Sequence, residues 1–190
     1  MSKKLSEMSL EELWELFPIF LTEHQDCWKD WFDEESKSLE ALLLKNQIVR
    51  ISHIGSTAVD TIWAKPIIDI LLEIPKESNM EEMKEKLVYN GYICMNQSED
   101  RMSFNKGYTE NGFAEKVFHL HLRYIGDNDE LYFRDYLIDN PDIAREYEKM
   151  KLGLWKKYKY NRDEYTNAKS AFVFKYTEEA KIQYKSRYEV

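Results

Sequence analysis

The chain has 190 residues, 43% of them hydrophobic and 14% aromatic, which supports a packed core and excludes an intrinsically disordered chain. Its formal charge of -8 argues against a general nucleic-acid binder, a class that is ordinarily basic. The charge is uneven. From residue 145 onward twelve Lys and Arg face seven Asp and Glu, so a basic tail follows an acidic body and can hold an anionic small molecule or dock on that body.

Along the chain, Ser9 followed by Glu12 forms a capping-box pattern ahead of Leu10, Leu13, Trp14 and Phe17, and Pro18 interrupts the helix. "HQDCWKDWFDEESKSLEALLLK" reads as a second helix, or a pair, ending near Lys45. The period then changes to that of strands at residues 48–54 and 67–74. The second run is apolar on both faces except for Asp69 and Glu73, as expected of a central strand covered on both sides. A helix capped by Asn79 and closed by Gly91 follows. "YICMN", "RMSFNKGY" and "EKVFHLHLRYI" are three further strands, the last two forming a hairpin across "TENGFA". After Gly126 the pattern is helical: one helix stopping before Pro141, a longer one with Pro141 in its first turn, and a last one from Arg162 to Tyr188.

The expected class is α+β: a mixed sheet flanked by helices, with residues 1–126 carrying N-terminal helices and sheet and residues 127–190 a helical segment packed on it. The two cysteines, Cys27 and Cys94, have no metal-binding spacing and suit a reduced, cytoplasmic chain. The first residues carry charges through their apolar part, unlike a signal peptide. No run approaches the ~18 apolar residues of a membrane span.

Three groups of residues could carry chemistry. The turn Gly55-Ser56-Thr57 lets backbone amides approach an anion, and Lys65, ten residues after Gly55, can reach a phosphate, although Gly-Ser is also an ordinary turn pair. Asp69, in an apolar strand, must be paired, hydrogen-bonded or metal-bound. Glu73 shares its face but lies about 13 Å along the strand. His119 and His121 are two apart, so both face one side of their strand as metal ligands, phosphate donors or packed imidazoles. Arg101 and Lys106 are candidate anion contacts. In the tail, Tyr136, Leu137, Ile143, Tyr147, Met150 and Leu154 mark buried helix faces. Lys169, four residues after Tyr165, is the tail lysine expected to reach the pocket.

"HIGSTAV…AKPIIDILLEI", "RMSFNKG", "FHLHLRY", "FRDYLIDNPDIAREYEKMK" and "YTNAKSAFV" together resemble the GrpB family over about residues 48–175. That family is similar in fold to the polymerase-β-type nucleotidyltransferases, whose Gly-Ser turn holds a triphosphate and whose strand carboxylates hold two Mg²⁺ ions. The resemblance implies that Gly55 and Ser56 form the turn and that Asp69 is the first carboxylate. The second position falls on Leu71, and the third near His119 and His121. The expectation is a pocket for a nucleotide or other phosphorylated small molecule. Asp69 and His121 would be its catalytic residues. Asp69, His119 and His121 would be ligands for Mg²⁺ or Mn²⁺, and Gly55, Ser56, Thr57, Lys65, Arg101, Lys106 and Lys169 would contact the ligand. The alternative is an active, divergent metal-dependent nucleotidyltransferase.

Overall fold

A computed structural model describes residues 3–189. Ser9 opens helix α1 (Leu10–Leu16): its hydroxyl accepts from the Glu12 amide, and the Glu12 carboxylate accepts from the Ser9 amide at 2.7 Å. Helix α2 (Cys27–Leu42) is one continuous helix with Trp28 and Leu39 buried.

Five strands follow: β1 (Arg50–Ile54), β2 (Ile68–Ile74), then helix α3 (Met80–Tyr89), β3 (Ile93–Gln97), β4 (Arg101–Thr109) and β5 (Gly112–Tyr124). The sheet order is β1-β2-β5-β4-β3, with β2 and β5 parallel and every other pair antiparallel. One sheet face is apolar: Ile68, Ile70, Leu72, Phe104, Leu120 and Leu122 pack against α2 and α3. Full burial of such side chains is worth about 1.5–3 kcal/mol each, so this layer dominates stability.

The opposite face carries the polar residues of β2 and β5 and is covered by helices α4 (Asp129–Asp139), α5 (Pro141–Tyr158), α6 (Arg162–Asn167) and α7 (Ser170–Tyr184). Leu131 of α4 packs on Ile54 and Leu71, while Ala144 and Tyr147 of α5 pack near Val59 and Ile62. The single last helix expected from the sequence is in fact two. The Ser170 hydroxyl donates to the Thr166 carbonyl, the acceptor its own amide would use in a continuous helix, and the chain turns at Ala168-Lys169. Among the described residues no helix is long and apolar enough to cross a membrane.

Candidate functional site

β1 ends beside β2, with Ile54 opposite Asp69. Gly55 then turns at φ +71°, and a Cβ there would come within 2.4 Å of Asp69 Oδ2. Only glycine lets the turn lie this close to the carboxylate. On the other side of β2 the parallel register sets Asp69 opposite His119 and Leu71 opposite His121. Alternation therefore sends Asp69 and both imidazoles to one face.

His119 Nδ1 lies 3.3 Å from Asp69 Oδ1, and its Nε2 lies 2.8 Å from the Tyr108 hydroxyl, which accepts from Arg162 Nη1 at 2.9 Å. A hydroxyl has one proton. With Arg162 donating to it, Tyr108 gives that proton to His119 Nε2, so the ring proton sits on Nδ1, facing Asp69. Burial pulls the His119 pKa down against the attraction of Asp69, in keeping with a neutral ring. His121 Nε2 is 3.8 Å from the same carboxylate oxygen, and its Nδ1 is 3.4 Å from Arg123 Nη2. Burial would raise the Asp69 carboxyl, but its bonds to His119 and His121 outweigh this and hold it well below the usual range. Oδ1 is thus engaged, while Oδ2 faces the glycine turn. The Asp69 side chain remains 29% accessible, open to the space above it.

That space is a cavity of about 560 Å³, the size of a small-ligand site. Eight residues singled out from the sequence line it: Gly55, Ser56, Thr57, Lys65, Asp69, His119, His121 and Lys169. Phe133, Leu137 and Val173 supply apolar wall. His53 stands behind the turn, with Nε2 at 2.9 Å from the Thr57 hydroxyl, which donates to the Ile67 carbonyl. Burial lowers the His53 pKa to about 4.

Lys151 also lines the cavity. It is only 2% exposed, and Nζ donates to Ser56 Oγ at 2.9 Å and to the Trp63 carbonyl at 2.5 Å. The helical spacing of Ala144, Tyr147 and Lys151, a lysine inside a buried stripe, is the sequence signal for it. Burial, with Lys169 nearby, lowers the Lys151 pKa to about 7; burial, with Lys169 and Arg162 nearby, lowers Lys65 to about 7. Burial lowers Lys169 too, partly offset by Asp69.

A profile of the family described as GrpB protein matches residues 18–179. The chain belongs to the GrpB family. Glutamate-rich protein GrpB of Alkalihalophilus pseudofirmus is 38% identical over 161 residues, which are 82% of this chain and 91% of that protein. UPF0157 protein YqkA of Bacillus subtilis is 30% identical over 190 residues, 97% of this chain and 54% of that longer relative. The crystal structure of conserved protein GrpB from Enterococcus faecalis superposes with a TM-score of 0.75 at 30% identity, covering 87% of this chain and 99% of that one. Structures of the Cid1 poly(U) polymerase match at a TM-score of 0.44 and 12% identity over 78% of this chain and 46% of theirs, too slight a likeness to carry a function across.

In this GrpB-family chain two expected ligand contacts stand elsewhere. Arg101 makes a two-pronged pair with Asp127, at 2.6 and 2.7 Å, and does not line the cavity. Lys106 points to the apolar sheet face, where it pairs with Glu35 at 2.7 Å beside the Tyr92 ring. Strand alternation explains Lys106: it shares its face with Phe104 and Met102. Glu73 is fully buried and pairs with Arg50 at 3.2 Å while accepting from the Gly126 amide and the Asn128 side chain.

The expected metal ligands meet, but as a hydrogen-bonded group. Both ring nitrogens of His119 have partners, and among the described residues no three His, Cys, Asp or Glu side chains are grouped to hold a metal ion. Mg²⁺ prefers an octahedron of oxygens. Here one carboxylate is available, and the next position on its face, Leu71, is 0% exposed under Leu131. The residues present do not fit a two-ion Mg²⁺ or Mn²⁺ centre.

Proposed function

We propose that this GrpB-family chain binds a nucleotide or a similar phosphorylated small molecule between the Gly55–Thr57 turn and the C-terminal helices. The observation that carries this reading is the convergence of Lys65, Lys151 and Lys169 with Ser56 on one cavity, with no lysine of the three ion-paired to a carboxylate among the described residues. Lys151 is buried and Lys65 and Lys169 are half-buried, and cations held there without a carboxylate are costly to the fold, a cost that an anionic ligand offsets. The apolar wall of Phe133, Leu137 and Val173 suits the body of such a ligand.

The test is thermal unfolding with nucleoside triphosphates. A ligand at ~100 times its Kd stabilises the native state by about 2.7 kcal/mol, equivalent to roughly 5–10 °C in Tm for a chain of this size. Ser56→Ala combined with Lys65→Ala removes most of that shift; a full shift in the double variant would place the anion elsewhere. A second reading, a divergent metal-dependent nucleotidyltransferase, is favoured by the partly accessible Asp69 carboxylate, whose Oδ2 lies beside the turn. Metal-dependent transfer by the unmutated chain, abolished by Asp69→Asn, would establish it.

A further inference from the structure

Resting on the reading of the cavity as a phosphate site, we infer that the three lysines form a metal-free cradle for a di- or triphosphate. Their ammonium groups fill the role that divalent ions take in a two-metal site.

The three lysines come from separate parts of the chain: Lys65 from the loop before β2, Lys151 from α5 and Lys169 from the turn before α7. They make two stations. At one, Lys151 Nζ rests on Ser56 Oγ, beside the glycine turn. At the other, Lys65 and Lys169 share the ring of buried Tyr165, at 5.4 and 4.5 Å from its centroid. Cation–π contact lets the ring hold two ammonium groups without neutralising either. Two stations match two or more linked phosphoryl groups better than one.

The charge balance points the same way. Among the residues that line the cavity, Asp69 is the carboxylate set beside the three cations, and Glu148, the carboxylate near Lys151, is bonded to the Trp63 amide. The acidic residues at the α4 end of the cavity are turned to other partners: Asp129 lies 2.8 Å from Lys181, and Glu130 is 3.9 Å from Arg123. The excess positive charge attracts an anion and repels a divalent cation, and in a partly buried site both effects exceed their values in water. Burial lowers the pKa values of all three lysines, and a bound polyphosphate opposes this by favouring the ammonium form.

Calorimetry with orthophosphate, pyrophosphate and tripolyphosphate in EDTA tests the inference. Pyrophosphate and tripolyphosphate should bind at least tenfold more tightly than orthophosphate, and excess Mg²⁺ should weaken them by masking ligand charge. Lys169→Met keeps the apolar stem and removes the charge. It should lose tenfold or more in pyrophosphate affinity while raising the Tm of the ligand-free protein, a pair of opposite effects that a merely structural lysine cannot produce. Binding that requires Mg²⁺ or Mn²⁺, equal affinity for orthophosphate, or a Lys169→Met variant that binds pyrophosphate normally would each overturn the cradle while leaving a phosphate site intact. Failure of all three anions and of nucleoside triphosphates to bind the folded, unmutated chain would overturn the phosphate site itself.

Discussion

Gly55 and Asp69 constrain each other. The glycine holds φ at +71°, and a methyl group there would sit 2.4 Å from Oδ2. Gly55→Ala therefore meets two penalties, the left-handed backbone at about 1–3 kcal/mol and displacement of a carboxylate oriented by two histidines. The expected outcome is a urea midpoint lowered accordingly and loss of phosphate binding. Gly91 is the control: its φ is +88° but nothing lies within 4 Å of the added methyl, so Gly91→Ala costs stability and spares binding. The Tyr108 hydroxyl invites a second substitution. Tyr108→Phe leaves His119 Nε2 without its donor, so the fixed Nδ1–H form should give way to a mixture of tautomers, read from the ring ¹⁵N shifts. An unchanged spectrum would mean that Asp69 alone orients the ring. At this scale Asp69 and the histidine pair could be read from the sequence, because a charge in an apolar strand and a two-residue spacing are both local signals. Arg101 and Lys106 misled for the converse reason: a basic side chain near a site says nothing local about which carboxylate will claim it.

The elements follow from caps and periodicity, and these were legible: Ser9, Asn79 and Pro141 each open the helix expected of them. The division between α6 and α7 was hidden because it is a tight turn at Ala168-Lys169, where the Thr166 carbonyl accepts from the Lys169 amide at 3.2 Å as well as from the Ser170 hydroxyl, and the turn contains neither Gly nor Pro to mark it. Contacts far apart in sequence were equally hidden. Helix α5 grips the loop between the turn and β2 at a single residue: the Glu148 carboxylate accepts from the Trp63 amide at 2.7 Å, and one turn later Lys151 donates to the Trp63 carbonyl. Eighty-five residues separate the first pair, so no local pattern records it. Because the bond to the amide is charge-assisted, Glu148→Ala should cost about 1.5–3 kcal/mol and speed hydrogen exchange at Trp63 selectively. Exchange that rises equally across the sheet would indicate global destabilisation rather than release of this loop.

For the molecule as a whole, the lysines should set opposite pH trends for folding and for binding. Lys65 and Lys151 have pKa values of about 7 in the fold, against roughly 10.4 in an unfolded chain. Between those values the unfolded state holds more protons, so the stability of the ligand-free protein rises as pH rises from about 7 towards 10. Below 7 both ammonium groups are charged in the fold and the full desolvation cost is present. Lys169, whose pKa burial also lowers, adds to this rise, while the remaining shifted groups act outside the window. His53, at about 4, removes stability only as pH falls below its ordinary value near 6.5, and the depressed Asp69 acts at still lower pH. The buried tyrosines Tyr92 and Tyr147, raised above their ordinary value near 10, oppose unfolding less only above that value. Urea midpoints at pH 6.5, 7.5, 8.5 and 9.5 should therefore climb, and Lys65→Met with Lys151→Met should flatten the climb while leaving the background of surface charges in place. Phosphate binding should follow the reverse course. The anion needs the ammonium form, so above pH 7 each binding event takes up protons and affinity falls. Calorimetry at pH 8 in two buffers of different ionisation enthalpy measures that uptake directly. Stability that stays level from pH 7 to 10, together with binding that takes up no proton, would show that the lysines are charged throughout and that the cavity is wetter than its burial implies.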